Sequence, residues 1–329
     1  MEEILDFLKR IPEILEETRI VMFMVDGLGS LDLCIPRPRK RVYQTVFPTS
    51  TPTFFYTFHS LLRPEEHGFL EWYMRFRDSI IAIPPWEDVI KNQKLELGRD
   101  VSRDEVFPFK SLSEILTGRG FSVLYYTPFA RSTFTKATSE GAEVREIKYL
   151  SQVFPLGEAD FIFIYWPSID SIRHERHEDE ALRVEIEFIE LFVKQLIKRM
   201  PKKTKLYILS DHGLTLCKRR YLLPVMDSIL PVGGERVAFY KELDVGEVEN
   251  EIKRRGIPAD VFRLEELEYF KGEISPRCYE NYGHVMVIAK EHVCFKYPFE
   301  KEKLQGLGVH GGLSDSERII NLWEYEKHT

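Results

Sequence analysis

The apolar positions of this chain fall into two patterns. Short continuous runs at 20–25 (IVMFMV), 161–166 (FIFIYW) and 206–210 (LYILS) read as parallel strands covered on both faces. A further strand is predicted over 121–126, with shorter ones over 79–83 and 143–147. Elsewhere apolar residues recur at helical spacing. Ile4, Leu5, Leu8, Ile11 and Leu15 predict an amphipathic N-terminal helix docked by one face. Pro52 suits the first position of a helix, on which Phe54, Phe55, Phe58, Leu61 and Leu62 trace one face. Thr51 is then its N-cap. The sequence SLSE at 111–114 is a capping box, opening a helix that stops near Gly118. A long amphipathic helix follows over 175–199, turning Leu182, Ile186, Ile189, Val193 and Leu196 inward.

Strands alternating with helices predict an α/β fold, a mostly parallel sheet flanked by helices. The pattern changes over 218–302, where strand 237–240, helix 245–255 and a hairpin of 284–288 with 293–297 predict a small α+β insertion. The whole chain, 1–329, is then one domain carrying that insertion.

Composition narrows the function classes. The chain is 43% hydrophobic and 30% charged with a net charge of −7, which excludes a general nucleic-acid or membrane-surface binder. The basic stretch 35–41 (IPRPRKR) is read as a solvated loop, with attraction of an anionic substrate as the alternative. The N-terminus is acidic and amphipathic, unlike a signal peptide, and no apolar run approaches a membrane span. Cys34, Cys217, Cys278 and Cys294 are scattered, which predicts a reducing, cytoplasmic compartment. Asn and Gln together number nine while Glu, Lys and Arg abound, a bias typical of thermophiles.

Chemistry-bearing residues gather where strands end, the usual ligand side of an open α/β sheet. Asp26 closes the first strand in VDGLG; a dinucleotide fingerprint would need glycine at position 32, where Asp32 stands. Asp170 and His174 follow the apolar run 161–166 at i,i+4 spacing, on one face of a helical turn. Asp211-His212-Gly213 follows strand 206–210, and His310 stands before two glycines. Carboxylate and imidazole suit zinc or another divalent first-row ion. Each feature also has a plainer reading: a turn carboxylate, a surface pair, a hydrogen-bonded turn. An N-cap hydroxyl at Thr51 can simply bond a free N–H, worth about 1 kcal/mol. It also lies at the positive end of a helix dipole, where a phosphate or an alkoxide is favoured. His67, His177, His284 and His292 are read as structural or exposed, not as ligands.

In chain order the segments VDGLG (25–29), FPTSTP (47–52), RPEEHG (63–68), SIDSIRH (168–174), SDHG (210–213) and VHGG (309–312) resemble the alkaline phosphatase superfamily. Within it they resemble the type I phosphodiesterase/nucleotide pyrophosphatase family, from about Ile20 to Ser316. The resemblance implies an alkaline phosphatase-like core and a two-metal phosphoester hydrolase with zinc as the expected ion. It implies that Asp26, Asp211 and His212 hold one ion beside Thr51, and that Asp170, His174 and His310 hold the other. Thr51 would attack phosphorus and form a phosphothreonine intermediate, which water then releases. A small-molecule phosphate ester is the implied partner.

Two positions depart from the family pattern. Trp72 stands where nucleotide pyrophosphatases place an asparagine, and Pro52 where an aromatic residue is common. Both bear on nucleotide specificity and leave the metal positions filled. The competing readings are a phosphomonoesterase or phosphoglycerate mutase-like enzyme of the same superfamily, and a metal-stabilised binding protein without catalysis.

Overall fold

The central strand of the molecule, β1 (Arg19–Val25), is buried on both faces because helices pack against each. The computed structural model describes residues 1–36, 38–176, 179–300 and 307–327. On one side of β1, Ile20, Met22 and Met24 meet Phe7, Ile11, Phe54 and Phe58 from α1 (Ile4–Leu8), α2 (Ile11–Glu17) and α3 (Thr51–Ser60). On the other, Val21, Phe23 and Val25 meet Leu182, Ile189, Val193 and Leu196. Burying each such side chain contributes about 1.5–3 kcal/mol, which is why this strand reads as an unbroken apolar run.

Seven strands form the central sheet: β1, β2 (Arg39–Gln44), β3 (Val123–Thr127), β4 (Glu143–Glu146), β5 (Phe161–Trp166), β6 (Thr204–Leu209) and β7 (Ile319–Lys327). Their order is β2-β7-β6-β1-β5-β3-β4. From β6 to β4 all pairs are parallel, and β7 is antiparallel to both of its neighbours. Val25 is level with Trp166, and Met24 with Leu209. The carboxyl ends of β1, β5 and β6 therefore stop at one height, side by side. This is the α/β architecture expected, a mostly parallel sheet flanked by helices.

Several local expectations are corrected. The N-terminal helix is two short ones, since the chain bends at Lys9 and Arg10 and restarts with Pro12 in the first turn of α2. The five apolar positions are nevertheless all buried. The N-cap of α3 is Ser50, with extended φ −134° and ψ 153°, so Thr51 is the first helical residue and Pro52 the second. The helix read over 175–199 is α4 (Ser168–Arg176) and α5 (Glu180–Arg199), the latter restarted by Asp179, whose carboxylate caps Ala181 and Leu182. His177, and Arg37 of the basic stretch, lie outside the described residues. The rest of that stretch runs into β2, where exposed Arg39 and Lys40 mark the sheet edge.

The hairpin expected from 284–288 and 293–297 does not form. Val285–Ala289 lies between Ala259–Arg263 and Val237–Tyr240, while Val293–Lys296 runs parallel to Arg219–Leu222. A second, eight-stranded sheet joins the strands of 232–289 to Tyr73–Phe76 and the short strands after it. Cys217 and Cys294 form a disulfide across 77 residues, with Cα atoms 5.9 Å apart. Their spacing held no hint of this pair, which removes the ground for expecting a reducing compartment. Among the described residues no helix is long and apolar enough to cross a membrane.

Candidate active site

Three backbone loops leave the sheet together, and glycine lets them touch. Gly27 has φ +71°, and a Cβ there would lie 2.7 Å from the Cα of Asp170. Gly213 could not carry a Cβ either, because it would meet the Ser316 carbonyl oxygen at 2.1 Å. Asp26, Asp170, Asp211 and His212 are thereby brought to one place, with Thr51 entering from the N-terminus of α3.

Around Thr51 the contacts are short. Its Oγ1 lies 3.0 Å from His212 Nε2 and 3.4 Å from Asp26 Oδ1. His212 Nε2 is also 3.5 Å from Asp26 Oδ1 and 3.4 Å from Asp211 Oδ2. The remaining atoms of these ligand candidates are occupied. Asp26 Oδ2 accepts from the Tyr165 hydroxyl, and Asp211 Oδ1 accepts from the amides of Gly27 and His212 at 3.1 and 2.9 Å. His212 Nδ1 donates to the Gly213 carbonyl at 3.1 Å, and His310 Nδ1 to the Thr49 carbonyl at 3.2 Å. A neutral imidazole that donates through Nδ1 keeps its lone pair on Nε2, and both rings present that atom to the centre.

Beyond this triad the rings of His212 and His310 stack at 4.0 Å, and that of His174 follows at 5.2 Å from His310. His174 Nε2 is 3.3 Å from Asp170 Oδ1, while its Nδ1 faces Glu235 Oε2 at 3.7 Å. Three sets of ligand atoms fall within 4.8 Å of one another: Asp26–Asp211–His212, Asp170–His212–His310 and His174–Glu235–His310. All seven residues singled out in the sequence, Thr51 included, thus lie in one constellation. Glu235 is an eighth that sequence reasoning missed. It follows two glycines in a segment of no recognisable motif, and no local signal marks it.

The electrostatics are those of carboxylates and imidazoles crowded into a buried centre. Burial, then the neighbouring Asp211 and Asp170 carboxylates, raises Asp26 well above the ordinary carboxylate range. Asp170 goes the other way: burial opposes it, but His174 beside it, with His310 and His212, holds it low. His174 is raised to about 9, because Asp170 and Glu235 outweigh its burial. Burial, with His212 and His174 nearby, lowers His310. Asp170 Oδ1, Asp211 Oδ2 and Glu235 Oε2 are buried oxygens that accept no hydrogen bond. Buried carboxylate oxygens are ordinarily satisfied, so three orphans in one centre fit cation ligation. The donor set fits divalent first-row ions.

Thr51 and Asp26 open onto a cavity of about 1070 Å³, walled by Phe55, Trp72, Tyr73, Phe129, Phe134 and Tyr165. Of the other histidines, His67 is locked between Thr57 and Phe69, at 3.1 Å each, and His292 Nδ1 bonds the Leu216 carbonyl. His284 is exposed beside Glu265.

Residues 39–313 match the family model of type I phosphodiesterase / nucleotide pyrophosphatase. No curated protein matches. Among solved structures, murine ectonucleotide pyrophosphatase / phosphodiesterase 5, an inactive threonine-to-alanine variant in complex with AMP, is similar at 18% identity and TM-score 0.65, covering 93% of this chain and 88% of that one. The human protein gives 16% identity and TM-score 0.67, covering 93% and 87%. Phosphonoacetate hydrolase from Sinorhizobium meliloti 1021, in complex with phosphonoacetate, gives 13% and 0.63, covering 94% and 91%. At such identities the likeness shows the fold.

Proposed function

The chain belongs to the type I phosphodiesterase / nucleotide pyrophosphatase family, and from that premise we propose that it cleaves small phosphodiesters with Thr51 as nucleophile and two divalent cations, zinc being the expected ion. It is a phosphoester hydrolase. The finer reading rests on one observation above the rest. The Thr51 hydroxyl lies at 3.0 Å from His212 and 3.4 Å from Asp26, at the N-terminus of α3 and open to the cavity.

Asp26, Asp211 and His212 would hold one cation beside Thr51, and Asp170, His174 and His310 the other. Bound there, the ions would supply Lewis-acid stabilisation of charge on the transferring phosphoryl group. The chain's own residues do the rest. Tyr165 and the Gly27 and His212 amides fix Asp26 and Asp211, so each carboxylate offers a single oriented oxygen. The backbone carbonyls of Gly213 and Thr49 fix the tautomers of His212 and His310. Helix α3 turns its positive end toward an entering phosphate and lowers the cost of an anionic Thr51 oxygen. The Thr51 oxygen would bond to phosphorus as the first alcohol leaves, giving a phosphothreonine that still carries the second organic group. Water would then release that group as its phosphate monoester and restore the hydroxyl. The murine relative solved with AMP is an inactive threonine-to-alanine variant, which supports this role for Thr51.

The family match supports a diester, and the aromatic walls of the cavity continue well past the space a phosphate needs, leaving room for its organic groups. Trp72 and Pro52 alter the nucleotide side, so the leaving groups are assigned only as small organic ones. We read 218–302 as an insertion within a single α/β domain. The test is turnover of bis-p-nitrophenyl phosphate and p-nitrophenyl phosphate by wild type and Thr51→Ala, alongside elemental analysis. Diester preference is expected, with two ions per chain in both proteins. Turnover by the variant should fall on the order of 10³-fold or more. Unchanged activity in Thr51→Ala would remove this residue from the mechanism.

A further inference from the structure

Among the described residues, Glu235 is the one carboxylate of the three ligand groups that belongs to neither of the two sets assigned above. It sits in the bend between Val232–Gly233 and Val237–Tyr240, antiparallel neighbours in the second sheet. A Cβ on Gly234 would lie 1.9 Å from Glu71 Oε2, so a side chain there would displace the Glu71 carboxylate. The Glu235 backbone carbonyl accepts from Phe295 N at 2.7 Å, and its Oε1 pairs with Arg220 Nη1 at 3.4 Å. One carboxylate oxygen is therefore anchored away from the centre. The other, Oε2, is buried without a hydrogen bond, and lies 3.7 Å from His174 Nδ1. Its ligand atom, with those of His174 and His310, falls within 4.8 Å of the others.

Charge makes the same point. Asp26, Asp211 and His212 bring two carboxylates to one cation, whereas Asp170, His174 and His310 bring one. Resting on the two-cation reading, we propose that Glu235 Oε2 is a further ligand of the second cation, supplied by the 218–302 segment. It balances the second site to two carboxylates. It would hold that ion together with His174 and His310, the two histidines whose ligand atoms lie within 4.8 Å of its own. The segment that bears Glu235 also lines the cavity, so metal occupancy and the substrate wall share one support.

The experiment compares wild type with Glu235→Gln, which keeps the side chain's size and removes its charge, and with Glu235→Ala. Metal-free proteins are titrated with Zn²⁺ by equilibrium dialysis, then loaded with Co²⁺ and their visible absorption recorded. Circular dichroism of the metal-free proteins checks folding. Both variants should keep one tight ion and bind the second about tenfold more weakly or worse, with shifted Co²⁺ bands from that site. Two ions held as tightly as in wild type, or weaker binding with unchanged Co²⁺ bands, overturns the ligand role of Glu235. Fewer than two ions in wild type instead overturns the two-cation reading itself.

Discussion

At the residue scale, two buried histidines outside the candidate ligand sets make the acid limb of stability predictable. His59 lies in a cage of Phe55, Phe58, Phe107, Tyr125 and Phe134, with its Nδ1 unbonded. His67 accepts the Phe69 amide on Nδ1 and meets the Thr57 hydroxyl with Nε2. Burial pushes both from the usual 6.5 down to about 3. Between those values the unfolded chain binds protons that the folded chain refuses. Stability is therefore complete above pH 6.5 and lost as pH falls, by up to about 1.4 kcal/mol per pH unit for each histidine. In urea unfolding followed from pH 7 to 4.5, His59→Phe should show a shallower acid decline than wild type by one histidine's share. Equal slopes would mean that His59 is protonated in the folded protein. Residue chemistry was largely readable in the sequence, since Asp26, Asp170, Asp211, His212 and His310 each carry a local cue. Glu235 carries none, because its role depends on where a distant turn delivers it.

At the element scale, α4 couples the loops to one another. Between Asp170 and His174 it carries Arg173, which is 4% exposed and donates to the Gly27 carbonyl at 2.9 Å and to the Leu214 carbonyl at 3.0 Å. One guanidinium thus ties the loop after β1 and the loop after β6 to the helix that bears two ligand candidates. A lysine cannot reproduce that planar fork. Arg173→Lys is expected to leave a buried carbonyl unsatisfied at a cost of about 1–3 kcal/mol. It should also weaken cation binding about tenfold through the displaced loops. Urea unfolding and a Zn²⁺ titration check the two halves separately, and wild-type values in both would show that Arg173 only fills space. Most elements followed from periodicity and caps. The errors fell where local signals compete. Ser50 and Thr51 are equally good caps, and Pro52 fits either first-turn position. Strands 285–289 and 293–296 look like a hairpin, yet both are almost wholly buried and find other partners.

At the scale of the whole molecule, long-range links hold the second sheet against the first. Arg236 and Glu317, 1% and 0% exposed, form a buried pair that reaches the Gly312 amide near His310. The Cys217–Cys294 disulfide closes a span of 77 residues beside it. Cross-linking a span of this length removes freedom from the unfolded chain, typically worth about 2–4 kcal/mol. Cys294→Ala should lose stability in that range in urea unfolding, and wild type under reductant should lose the same amount. A variant as stable as wild type would show that the bridge contributes nothing to folding. That the pair was invisible in the sequence is a matter of distance. Cysteine spacing speaks only for bridges within local motifs, and this one is set by the parallel pairing of Arg219–Leu222 with Val293–Lys296.

Periodicity and strand-end residues alone determined an α/β sheet with acids and histidines at its ligand edge, because burial on both faces forces apolar runs and glycine marks the tight exits. Tertiary structure alone decided three things: which loops touch, which nitrogen of His212 and of His310 is taken by a backbone carbonyl, and that a carboxylate from a remote turn joins the cluster. Each depends on packing between segments far apart in the chain, and no local pattern of side chains encodes that.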